Sequence, residues 1–119
     1  MGLTTVTIRM SNPADRRRVV EQTLLVDSGA IWSVVPARVL RRIGIRPHGQ
    51  EAFALADASQ VTRAVGSVFF ELGPRRGAGT VIFGERDDAA LLGALTLETL
   101  GLMLDPLKRQ LRPLRMMLS

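Results

Sequence analysis

Apolar and polar residues alternate over residues 5–10, with Val6, Ile8 and Met10 on one face and Thr5, Thr7 and Arg9 on the other. A period of two belongs to a strand buried on one side. The cluster Ser11-Asn12-Pro13-Ala14-Asp15 predicts a turn, and residues 19–26 resume as a strand that stops abruptly at Asp27-Ser28-Gly29. After a short extended piece at 33–35, Pro36 and Gly44 bracket a two-turn helix. Proline suits a first helical position, where no N–H is needed, and glycine suits the left-handed residue past the end. Val39, Leu40 and Ile43 share one face of this helix, which is too short to stand alone and so docks on a sheet.

Two longer β-type runs, 50–56 and 61–72, are joined by Asp57-Ala58-Ser59-Gln60 and predict a projecting hairpin, with Gly66 as a bulge or bend. Residues 73–79 hold Pro74, two arginines and three glycines and predict a loop, followed by a buried strand at 80–83. A short strand at 89–92 reaches Gly93, a second short helix at 94–100 closes at Gly101, and 102–104 is again strand-like. Residues 105–109 form a turn, from which 110–114 can pair back as a hairpin. Short strands with tight turns predict an all-β barrel or sandwich carrying small helices. An internal echo accompanies this pattern: strand, glycine turn, helix, glycine, strand occurs once around Asp27 to Ile45 and once around Leu91 to Leu102.

Composition narrows the chemistry. The 119 residues supply one domain, 1–119, and a hydrophobic content of 46% is enough for one core. With no cysteine there is no disulfide, thiol nucleophile or cysteine-based metal site, and the lone His48 builds no multi-histidine centre, so neither metal nor cofactor is expected. His48, between Pro47 and Gly49, is expected in an exposed loop. No apolar stretch approaches the roughly 20 residues that span a bilayer, and the first residues alternate instead of forming a signal, so a soluble, cytoplasmic protein away from membranes is expected. The net charge of +5 raises polyanion binding as one option. Its groups would be Arg16, Arg17, Arg18, Arg75 and Arg76, expected in loops, but aromatic residues at 4% offer little for base stacking and argue against nucleic acid. Asp87 and Asp88 are expected to be solvated, and Trp32 to pack in the core or at an interface.

Val26-Asp27-Ser28-Gly29-Ala30, then Leu91-Leu92-Gly93, then the helix ending Leu100-Gly101-Leu102, resemble the retropepsin family of aspartic proteases, and more narrowly its single-domain members found outside retroviruses, including bacterial ones. The resemblance spans residues 19–114. It implies a closed acid-protease barrel with a flap hairpin and one or two short helices. It also implies an aspartic endopeptidase that works as a homodimer on peptide or protein substrates. Asp27 would meet its own copy across a two-fold axis, because no other aspartate here is followed by Ser or Thr and Gly. Two carboxylates in contact share one proton, which gives one base to activate water and one acid to hydrogen-bond the carbonyl oxygen. Ser28 would bond across the dimer, Gly29 would allow close approach at the dyad, and Ala30 would line the substrate cleft. Ala56, Asp57, Ala58 and Ser59 would form the flap tip over the substrate, although retroviral flaps carry glycine-rich tips and this one does not. The competing expectation is an acid-protease fold used only for binding or assembly, with Asp27-Ser28-Gly29 as an ordinary turn.

Overall fold

The computed structural model describes residues 3–118. Nine strands and two short helices follow in the order β1 (Thr5–Asn12), β2 (Asp15–Val26), β3 (Ser33–Pro36), α1 (Ala37–Arg42), β4 (Gly49–Ala54), β5 (Gln60–Leu72), β6 (Arg75–Gly84), β7 (Leu91–Leu92), α2 (Ala94–Thr99), β8 (Leu102–Asp105) and β9 (Gln110–Pro113). The main sheet runs β1-β2-β7-β3-β6-β5-β4, and β1 pairs again with β5. That second pairing closes six strands into a barrel and leaves β4 outside it as one arm of a hairpin with β5. Closure removes the exposed strand edges that an open sheet would present. The core fills the barrel: Ile8 and Met10 from β1, Leu24 from β2, Phe70 from β5, Val81 from β6 and Leu92 from β7 are all fully buried. Each such side chain contributes about 1.5–3 kcal/mol relative to exposure.

The two halves of the internal echo meet in space. β2 and β7 lie side by side in parallel, Leu25 opposite Leu91 and Val26 opposite Leu92. Each half ends its helix on a left-handed glycine, Gly44 with φ +78° and Gly101 with φ +71°.

The structure corrects several sequence expectations. β2 begins at Asp15, so Arg16, Arg17 and Arg18 lie in a strand and not in a loop. Its first four residues are all polar and none is buried, so no alternation announces them. The 73–79 segment is a loop only at its start; β6 runs from Arg75. Gly73, with φ +60°, makes the turn, whereas Gly77 clears Thr99, whose methyl group would lie 2.5 Å from an added Cβ. Gly66 makes no bulge, because the β5–β6 register is unbroken from Val65 to Leu72. An added Cβ there would come within 3.0 Å of Phe83 and 3.1 Å of Ile45, so close packing accounts for this glycine. The hairpin expected from residues 110–114 does form: β9 pairs with β8 within the chain, Leu102 opposite Pro113, and β1 pairs with β2 and β5.

Candidate active site

β2 ends at Val26, and the loop that follows is held by main-chain hydrogen bonds at Asp27, Gly29, Ala30 and Ile31. The Asp27 N–H donates to the Leu92 carbonyl at 3.0 Å, and the Ala30 N–H donates back to the Asp27 carbonyl at 3.1 Å. Asp27 Oδ1 accepts the Gly29 N–H at 2.9 Å. The first N–H groups of α2, from Ala94 and Leu95, donate to the carbonyls of Ala30 and Ile31 at 2.7 and 3.0 Å. Between the two segments the Gly93 N–H donates to the buried Ser33 hydroxyl at 2.9 Å, which bonds the Thr96 hydroxyl at 2.6 Å. A Cβ on Gly93 would lie 2.6 Å from the Trp32 carbonyl carbon, so only glycine permits this approach. The loop is thus fixed by two strands and a helix, and its side chains are presented by a rigid frame.

Asp27 is half-buried, while Ser28 and Gly29 are exposed. One Asp27 carboxylate oxygen serves the turn, and among the described residues the other accepts no hydrogen bond. The same face carries apolar side chains that water reaches: Ile31 is 67% exposed and Leu95 45%. Four of the five other aspartates are engaged elsewhere, and Asp87 is exposed. Asp15 pairs with Arg17, Asp57 accepts from Ser59, Asp88 holds Arg63, and Asp105 accepts the N–H groups of Leu107 and Lys108. Among the described residues no cluster of three potential metal ligands forms. His48 is exposed, as its neighbours predict.

Beside Asp27, a cleft of about 760 Å³ runs beneath the β4–β5 hairpin, walled by Ala30, Trp32, Val34, Phe53, Ile82 and Leu95. Val34, Phe53 and Ile82 also wall its continuation of about 320 Å³, which reaches Leu55, Ala89 and Asp88. Trp32 is therefore a half-buried wall residue and not a core residue; its ring meets Phe53 edge-on, centroids 6.0 Å apart. Of the residues expected to touch substrate, Ala30 lines the cleft. Ala56, Asp57, Ala58 and Ser59 sit at the exposed hairpin tip, beyond the cleft wall of this single chain. Sequence reasoning missed Phe53, which lines the cleft continuation with Leu55 two residues on; that period of two, running from β4 into the hairpin turn, is the signal that could have found it.

The hairpin is held at both ends. At the tip the Leu55 N–H donates to the Ser59 carbonyl at 2.8 Å, and Ala58 takes a left-handed conformation, φ +71°. The Ser59 hydroxyl and N–H both donate to the Asp57 carboxylate and hold it below the usual carboxylate range. At the base, Arg63 of β5 grips Asp88 of the β6–β7 turn through two hydrogen bonds, of 2.7 and 3.0 Å, and lies 3.6 Å from Glu85. Asp88 is thus paired, not simply solvated. The Arg63 hydrogen bonds depress its carboxyl against the opposing effect of partial burial.

No protein-family model matches the chain, and no curated protein does either. Solved structures do match its fold. The EIAV protease in complex with an inhibitor superimposes with a TM-score of 0.67 at 17% identity, over 84% of this chain and 89% of that one. The retroviral protease-like domain of Ddi1 from Leishmania major gives 0.54 at 18% identity, over 94% and 90%. With its closed six-strand barrel, projecting hairpin and locked Asp-Ser-Gly loop, the chain has the retropepsin-like fold, that of the retroviral proteases.

Proposed function

We propose that the protein is an aspartic endopeptidase whose active site forms when two copies bring their Asp27 side chains together. The observation that carries this reading is the Asp27 loop: a carboxylate anchored through one oxygen, open at the other, on a rigid turn beside an apolar cleft. A single carboxylate cannot both take a proton from water and hydrogen-bond the substrate carbonyl. Two in contact share a proton and do both. One Asp27 removes a proton from the water as its oxygen bonds the carbonyl carbon. The protonated partner donates to the carbonyl oxygen. The tetrahedral species then collapses with C–N cleavage: the leaving nitrogen takes the proton that the first Asp27 drew from water, and a hydroxyl of the species returns its proton to the partner, which restores the pair.

The exposed Ile31 and Leu95 beside Ser28 suit burial against a second copy. An extended peptide would lie beneath the β4–β5 hairpin, bonded through its main chain, with Phe53, Val34 and Ile82 receiving apolar side chains. Polyanion binding through the arginine clusters is disfavoured. Arg16 lies 3.5 Å over the Phe69 ring, Arg17 pairs with Asp15, and Arg75 donates to the Leu100 and Gly101 carbonyls.

Wild type and Asp27→Asn are assayed on an unfolded-protein substrate from mildly acidic to neutral pH. Asp27→Asn is expected to lower the rate by about 10³-fold or more, the range for loss of a general acid or base. Equal cleavage by the two proteins overturns the proposal in favour of a binding or assembly role.

A further inference from the structure

The paired arginines of this chain are committed to the fold, as Arg16, Arg17, Arg63 and Arg75 illustrate. Arg38, Arg41 and Arg86 are different. None of the three side chains has a hydrogen-bond or ion-pair partner among the described residues, yet all three residues line one concavity of about 520 Å³ between α1 and the turn after β6. Arg38 and Arg41 are three apart on α1, which puts them on one face of the helix. Arg86 approaches from the opposite wall.

Like charges gathered in one hollow repel each other, and only solvent screens them. The two carboxylates that border the hollow, Glu85 and Asp88, are both engaged by Arg63 from the cleft side. The hollow therefore keeps a net positive charge and three guanidinium forks with free donors. Such forks match the oxygens of a carboxylate or phosphate.

Its position selects between those ligands. Asp88 lines both this hollow and the apolar cleft continuation, so the two lie next to each other on either side of the Arg63–Asp88 pair. Phe53 and Trp32 meet edge-on and wall the cleft, and no aromatic ring lines the hollow, so a base would find no stacking platform there. We propose that the Arg38, Arg41 and Arg86 hollow receives an acidic side chain of the peptide that fills the cleft, so that the favoured substrate is an apolar stretch flanked by Asp or Glu. This rests on the cleft being the peptide site, and it adds the substrate class.

The test uses the Asp27→Asn protein, which keeps the cleft without turnover. Labelled peptides share one apolar core and carry Asp and Glu, or Asn and Gln, at both ends; binding is followed by fluorescence anisotropy. The acidic peptide is expected to bind about tenfold tighter than the amide peptide at low salt, the sum of a few partly exposed charge contacts. The preference should vanish at high salt and in the Arg38→Gln, Arg41→Gln, Arg86→Gln triple variant, while binding of the amide peptide stays unchanged. A single Arg86→Glu variant, carrying one exposed substitution, should reduce or invert the preference when a lysine-flanked peptide is compared. Equal affinity for acidic and amide peptides overturns this site and leaves the cleft standing, whereas no binding of either peptide overturns both. Displacement of the acidic peptide by a single-stranded oligonucleotide as effectively as by unlabelled acidic peptide also overturns the assignment.

Discussion

Gly93 has no room for a methyl group. An added Cβ would stand 2.6 Å from the carbonyl carbon of Trp32 and 2.9 Å from the Ile31 carbonyl oxygen, both main-chain atoms of the loop that follows Asp27. Main chain cannot swing aside as a side chain can, so Gly93→Ala must part α2 from that loop. A cost of about 2–3 kcal/mol in urea unfolding is expected, the upper range for overpacking. The neighbouring Ser33→Ala acts without a clash: it strips the acceptor from the buried Gly93 N–H and the partner from Thr96, at about 1–3 kcal/mol. Stability unchanged in both variants would show that the loop is not locked as described. Leu91-Leu92-Gly93 is legible in sequence as an apolar strand with a bend, but the reason for the glycine is not. Its partner lies some sixty residues earlier, and the contact exists only once β7 has entered the barrel between β2 and β3. Gly66 repeats the lesson, since composition suggests a bulge where the fold needs clearance for Phe83 and Ile45.

Among the elements, the β4–β5 hairpin depends most on contacts that sequence hides. Its existence is legible, because two β-type runs flank a polar turn. Its tip departs from expectation in a specific way: Ala58 holds a left-handed conformation that glycine usually supplies, supported by the Asp57–Ser59 hydrogen bonds. The grip at its base, Arg63 on Asp88, joins residues 25 apart and leaves no trace in either local pattern. Both side chains are largely covered, at 16% and 27% exposure, and the contact is two-pronged, so it is expected to stabilise the fold. The pH dependence follows from the direction of the Asp88 shift. Its carboxyl is depressed in the folded chain, so the stabilisation is complete above the unfolded value of about 3.9 and is lost as pH falls through the lower folded value. Across mildly acidic and neutral conditions the grip therefore stays closed. Asp88→Asn should destabilise the protein at pH 7 and differ little from wild type in strong acid, with faster hydrogen exchange at neutral pH in β4, β5 and the β6–β7 turn, where Asp88 also accepts the Glu85 N–H. An equal loss of stability at both pH values would assign the effect to packing instead of charge.

At the scale of the whole molecule, the fold was legible and the assembly was only implied. Alternation in β1, the abrupt end of β2 and the two glycine-ended helices together outline the barrel, whereas the polar start of β2 and the glycine-rich start of β6 carry no buried face to betray them. What the chain does as a unit turns on a count: a mechanism of two carboxylates against one Asp27 per copy. The proposed dyad therefore makes activity a property of pairs, which mixing can measure. Wild type is combined with an excess of Asp27→Asn under conditions that let subunits exchange. Each mixed pair then holds one aspartate and one asparagine, and random pairing leaves a wild-type chain with a wild-type partner only in proportion to the wild-type fraction. At equal amounts the activity per wild-type chain should fall to about half, and at ninefold excess to about one tenth. A site complete within one chain predicts no loss at any ratio, because the inactive protein would be a bystander. Ile31→Glu offers an independent check, since it places a charge on the exposed apolar face beside Ser28 without touching the core. If that face is buried between copies, the variant should stay folded, sediment as a monomer and lose activity that rising protein concentration partly restores. A variant that remains paired and active removes that face from the interface, and if the mixing experiment also shows no loss, the two-chain dyad goes with it.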